Sequence, residues 1–84
     1  VFSKTLASQY LNDVAQITDF KDGFDMIGLQ GLTYSELCIE QGTGSREANT
    51  IISLVTGDAL VVLVGVNSYM ITSSDFTSVI YITV

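Results

Sequence analysis

Three carboxylates, Asp19, Asp22 and Asp25, fall in the stretch Ile17-Thr18-Asp19-Phe20-Lys21-Asp22-Gly23-Phe24-Asp25-Met26-Ile27-Gly28-Leu29. Carboxylate oxygens gathered this closely are candidate ligands for Ca2+, which takes about six to eight oxygens. The competing reading is local. Asp22 helps to shape the turn, and Asp19 and Asp25 bond to nearby backbone groups. Other chemistry has little to draw on. The chain has no His to serve as a base near neutral pH. Its one cysteine, Cys38, has no neighbouring base to activate it. The acids of the turn have no companion cleft in the sequence. The chain therefore reads as non-enzymatic. Tyr10, Tyr34, Tyr69 and Tyr81 could form a stacking surface for a sugar or a protein. The alternative is that they straddle core and rim, ring inward and hydroxyl outward. Arg46 reads as a solvated charge rather than an anion hook.

The elements that must position these groups are mostly strands. Val, Ile, Thr, Tyr and Phe are common and Pro is absent. Val1 to Lys4 has the composition of a short strand. Leu6, Tyr10, Val14 and Ile17 recur at near-helical spacing, which supports a helix from about Thr5 to Val14, but Ser8, Asn12 and Asp13 are indifferent helix formers. A loop leading into a strand is the preferred reading. The first clear strand is Val14 to Phe20. Lys21-Asp22-Gly23 follows as a tight turn in which Gly23 takes positive φ. Asp25, Ile27 and Leu29 then alternate with Met26, Gly28 and Gln30, the period of a strand, until Gly31-Leu32 breaks it.

Thr33-Tyr34-Ser35-Glu36 fits a capping box, with Glu36 reaching back to Thr33. Only about one helical turn fits before Leu37 to Gln41 alternates as a strand. Gly42 to Glu47 is a polar loop. Thr50 to Val55 and Ala59 to Val64 form a hairpin across Thr56-Gly57-Asp58. The second strand is apolar on both faces and is expected to be central and covered. Thr72-Ser73-Ser74-Asp75 repeats the capping pattern and points Phe76 at the core. Val79 to Val84 is a last β-prone run. Its uncharged residues either pair inside the sheet or offer an edge for association with another chain. The expected fold is all-β: a small sheet or roll of six to seven short strands, with two short helical turns. A stacked pair of strands around the acidic turn continues into an antiparallel meander.

Composition sets the limits. Of 84 residues, 48% are hydrophobic and 14% charged, which is dense enough in apolar residues to exclude intrinsic disorder. The formal net charge is −6, and the three basic residues are Lys4, Lys21 and Arg46. That balance argues against nucleic acid and against anionic membrane surfaces as partners. The longest apolar run, Ala59 to Val64, is too short to span a bilayer. Cys38 cannot form an internal disulfide, and between Leu37 and Ile39 it reads as a small packing residue. The chain lacks an initiator Met and reads as one domain, residues 1–84, excised from a longer protein.

The order of these motifs resembles a known family. Ile17, Asp19, Phe20, Gly23, Asp25, Ile27 and Leu29 look like the segment that follows the nonapeptide repeats of hemolysin-type (RTX) calcium-binding proteins. The match continues in a form common in cyanobacterial RTX-associated C-terminal regions. It runs through Gly31-Leu32-Thr33-Tyr34, Leu37-Cys38-Ile39, the Gly42-Thr43-Gly44 loop, the Thr50 to Val64 hairpin and Gly65-Val66, and ends with Ser74-Asp75-Phe76. Two features depart from the pattern. The glycine- and aspartate-rich repeat itself is absent, and Gly28 stands where many relatives carry an Asp. The resemblance implies a secreted or cell-surface protein in which this piece caps a calcium-loaded β-roll, with the upstream repeats as its partner. Any Ca2+ at Asp19, Asp22 and Asp25 would then be completed by neighbouring turns. The runner-up is an adhesion module that binds carbohydrate or protein through its aromatic rim. Association through the terminal strand is a further possibility.

Overall fold

The computed structural model describes residues 2, 7–9, 14–21 and 23–78. The expected strand at Val1 to Lys4, the helix-or-loop choice over Thr5 to Val14, Tyr10, Asp22, Tyr81 and the Val79 to Val84 run lie wholly or largely outside those residues. The fold is all-β. Among the described residues there are six strands: β1 (Ala15–Ile17), β2 (Ile27–Leu29), β3 (Leu37–Gln41), β4 (Thr50–Leu54), β5 (Ala59–Leu63) and β6 (Phe76–Ser78).

The strands form two sheets. One has four strands in the order β1-β5-β4-β3, and the other pairs β2 with β6. The expected meander is present, since β3 pairs antiparallel with β4 and β4 antiparallel with β5. Its turn holds Gly57 at φ 116°, open only to glycine without strain. Strand β5 is interior, with β1 on one side and β4 on the other, and all five of its residues are buried.

A bulge explains how β5 packs on both faces. Ile52 pairs with Val61 but Ser53 pairs with Ala59, so Leu60 is the extra residue. The slip turns Leu60, Val61 and Leu63 toward the main core and leaves Ala59 and Val62 to a second cluster with Val14. The main core fills the space between the sheets. Ile27, Leu29 and Phe76 come from the two-stranded sheet, and Ile52, Leu54, Val61 and Leu63 from the other.

Several expectations need correction. The strands flanking the acidic turn are shorter than the alternation implied, spanning Ala15–Ile17 and Ile27–Leu29 only. They lie in different sheets. Strand β1 pairs parallel with β5, and β2 parallel with β6. The short helical turns number four among the described residues, not two. Tyr34–Glu36 and Ser73–Asp75 follow the expected capping boxes, while Gly44–Arg46 and Ser68–Met70 were not anticipated. These last two lack the hydroxyl-to-acid spacing that announces a capping box. Gly44–Arg46 is held by backbone bonds of its own loop and by Gln41 a few residues before it, and Ser68–Met70 by Gln41, 27 residues away from Ser68.

Candidate functional site

The segment from Ile17 to Leu29 is an arch that carries the chain from one sheet to the other. Its turn is local chemistry. The N–H groups of Phe24 and Asp25 donate to the Lys21 carbonyl at 3.1 and 2.9 Å, and Gly23 sits at φ 87°. Asp25 closes the loop from the other side, its Oδ2 accepting the Lys21 N–H at 2.8 Å. This is the local role that competes with a metal role at Asp25. Asp19 is exposed, and Asp22 is outside the described residues. Among the described residues, no three His, Cys, Asp or Glu side chains gather as they would around an ion.

The apolar members of the motif anchor the arch. Ile27, Leu29 and Phe76 are buried in the main core, and Ile17 and Phe20 pack against it half-buried. Asp75 is buried too, and its Oδ2 accepts the Thr72 N–H at 2.9 Å. It therefore orders the turn that delivers Phe76 to the core. Tyr34 packs on Phe76 with ring centroids 5.2 Å apart, as an aromatic straddling core and rim does. Phe24 and Tyr69 are 87% and 80% exposed.

Among the described residues strand β1 ends the four-stranded sheet, and its hydrogen-bonding sense is defined. The Val64 N–H donates to the Ile17 carbonyl at 2.9 Å, so the Ile17 backbone faces β5. Alternation then points both the N–H and the C=O of Gln16 away from β5. On the other sheet the outward groups of β2 are used. Phe2 donates its N–H to the Gly28 carbonyl at 2.7 Å and accepts from the Gln30 N–H at 2.8 Å, running parallel to β2.

Two features were not read from sequence. Cys38 is not a core packing residue. It lies half-buried on the outer face of β3 and donates its thiol to Glu40 Oε1 at 3.2 Å. The signal was available, since residues two apart on a strand share a face. The Glu40 hydrogen bond, burial and the Glu40 charge together raise the thiol above the ordinary cysteine range. A thiol held protonated is a poor nucleophile. The open hollow beside it, about 380 Å³, is lined by Cys38, Glu40, Ser53, Leu54, Val55 and Gly57. The second feature is a polar clamp at the far end of β3. Gln41 Nε2 donates to the carbonyls of Glu47 and Asn49 at 2.8 and 2.9 Å, and Oε1 accepts the Ser68 N–H at 2.8 Å. The clamp holds the Gly44–Arg46 and Ser68–Met70 turns in place.

Comparison with protein-family models, with curated proteins and with solved structures gave no match. Among the described residues, no helix is long and apolar enough to cross a membrane.

Proposed function

We propose that this domain is a non-enzymatic structural cap at the end of a parallel β-roll, in a secreted calcium-binding protein of the RTX type. One observation carries the reading. Strands β1 and β2 are joined by a single tight arch, lie in different sheets, and each pairs parallel with a strand distant in sequence. That is the path of one coil of a two-sheet roll. Beyond it the chain changes to an antiparallel meander, which cannot propagate the coil and so terminates it. A solenoid leaves an apolar cross-section and open strand edges at its end, and a terminal cap covers both. The upstream repeats are the partner in this reading, and they supply the calcium sites. Asp25 serves the arch that abuts them.

The test compares the parent chain with and without residues 1–84 in a Ca2+ titration followed by circular dichroism. With the domain present, the upstream turns should fold at lower Ca2+ and melt at higher temperature. Identical midpoints would exclude the cap. The adhesion reading rests on Phe24 and Tyr69, the two most exposed aromatics described. A glycan and peptide screen repeated with Tyr69→Ala decides it, since binding unchanged by the substitution removes that residue from any site.

A further inference from the structure

The hollow beside Cys38 has no part in the cap reading, and one face of the four-stranded sheet builds its walls. Cys38 and Glu40 stand two apart on β3 and so share that face. Ser53 pairs with Cys38 across the ladder, and Val55 follows two residues later on the same side. The hairpin turn closes one end and is fixed by its backbone. The Gly57 N–H donates to the Leu54 carbonyl at 2.8 Å, and the Val55 N–H to the Glu36 carbonyl at 2.9 Å. Gly57 carries no side chain to fill the space, and a Cβ there would meet nothing within 4 Å. The hollow, about 380 Å³, falls within the usual range of small-ligand sites, roughly 300–1,000 Å³.

The lining sorts ligands by charge. Glu40 is exposed, and among the described residues no Lys or Arg lines the hollow. The Cys38 thiol occupies Glu40 Oε1. A carboxylate accepts at both oxygens, so Oε2 can take a further donor. The formal net charge of −6 repels anions and draws cations. A hard metal ion takes about six to eight oxygens and finds one carboxylate here. Val55, 65% exposed, adds an apolar wall that suits methylenes rather than a bare ion. We propose that the Cys38–Glu40 hollow binds an organic cation, an ammonium or guanidinium on a short apolar stem, with its charged head on Glu40 and its stem against Val55. A free amine and a Lys or Arg side chain of another protein present the same chemistry. The proposal does not depend on the cap reading.

An NMR titration of the 84-residue chain with butylguanidinium tests it, since the guanidinium stays charged throughout. The amide signals of Cys38, Glu40, Ser53, Val55 and Gly57 should move together, with half-saturation on the order of 1–10 mM. Butylurea, a neutral probe of similar shape, should bind about twofold to fivefold more weakly, the worth of one exposed ion pair. Glu40→Gln should weaken the cation by the same factor. Glu47→Gln makes the same charge change on the exposed polar loop and should leave binding unchanged. Methylguanidinium, with the head but little stem, should bind more weakly than butylguanidinium. The thiol gives a second readout. A cation on Glu40 offsets the carboxylate's charge, so the Cys38 titration midpoint should fall with butylguanidinium and stay with butylurea. An arginine peptide that binds more tightly than butylguanidinium assigns the head to another chain, and one that binds more weakly assigns it to a free cation. Equal binding of the urea and the guanidinium would overturn the proposal. So would equal losses in the two Gln variants, or shifts scattered away from the hollow. Unchanged β5 amide signals show that the variants are folded.

Discussion

The Ser68 N–H donates to Gln41 Oε1 at 2.8 Å, joining the end of β3 to a turn 27 residues further along the chain. The side-chain Nε2 of Gln41 donates to the Glu47 and Asn49 carbonyls. Gln41 therefore satisfies three backbone groups at once and sets the positions of two turns. Replacement by Leu removes all three bonds at a half-buried site, leaving the Glu47 carbonyl and the Ser68 N–H without this partner, while the Asn49 carbonyl keeps the Gly42 N–H at 2.8 Å. The expected loss is about 2–3 kcal/mol, at about 1 kcal/mol or somewhat more for each unmade bond. Urea unfolding measures it, and a loss within about 0.5 kcal/mol would show that water replaces the amide.

Thr50 is fully buried, and its Oγ1 donates to the Val66 carbonyl at 2.6 Å. Thr50→Val keeps the shape but leaves that carbonyl without its donor. A loss of about 1–2 kcal/mol is expected in chemical denaturation. Thr50→Ala should cost more, because it adds a void to the unmade bond.

The two capping boxes differ in burial, and their energies should differ accordingly. Asp75 is 4% exposed, whereas Glu36 is more open and its Oε1 accepts the Thr33 N–H at a longer 3.2 Å. Asp75→Ala should destabilise by about 2 kcal/mol and Glu36→Ala by about 0.5 kcal/mol. Thermal unfolding of the two variants side by side gives the ranking, and equal shifts would contradict it.

Gly42 is a position of close approach. A Cβ there would meet the Arg46 carbonyl oxygen and stand 2.9 Å from Arg46 Cβ. Gly42→Ala must push the Gly44–Arg46 turn outward, at about 1–3 kcal/mol. Gly23→Ala meets no atom, yet places a side chain at φ 87° and should cost about 1 kcal/mol. Amide exchange would localise the first change to residues 42–49 and the second to the arch.

Thiol reactivity reads out the Cys38–Glu40 pair. The carboxylate raises the thiol's pKa, so at pH 8 the thiolate fraction is below that of a free cysteine. Glu40→Gln removes the negative charge, lowers the pKa toward the ordinary value and raises the thiolate fraction. Iodoacetamide alkylation at pH 8 should quicken, with the two rates converging as pH rises past both pKa values. An unchanged rate would mean that the hydrogen bond does not govern the thiol.

Local patterns in the chain were read correctly where their cause is local. Leu37–Gln41 alternates and forms β3 over those residues. The hairpin of β4 and β5 lies where its apolar runs meet Thr56-Gly57-Asp58. Both hydroxyl-to-acid pairs, Thr33 with Glu36 and Thr72 with Asp75, make their turns because donor and acceptor are three residues apart. The turn at Gly23 needed only a residue that tolerates positive φ. The Ser68–Met70 turn was invisible, because its N–H is held by Gln41 from a distant strand. The Leu60 bulge was invisible as well, since an apolar run carries no period to break.

From the sequence alone, then, came the all-β class, the meander, the two capped turns and the absence of a histidine for catalysis. Those depend on alternation, composition and contacts a few residues apart. Only the tertiary structure decided that β1 and β2 separate into two sheets, that each pairs parallel with a remote strand, and which way the Gln16 backbone faces. A strand's sequence states which side chains turn inward. It does not state which backbone lies along its edge, because every strand offers the same N–H and C=O groups, and the partner is selected by how the whole core packs.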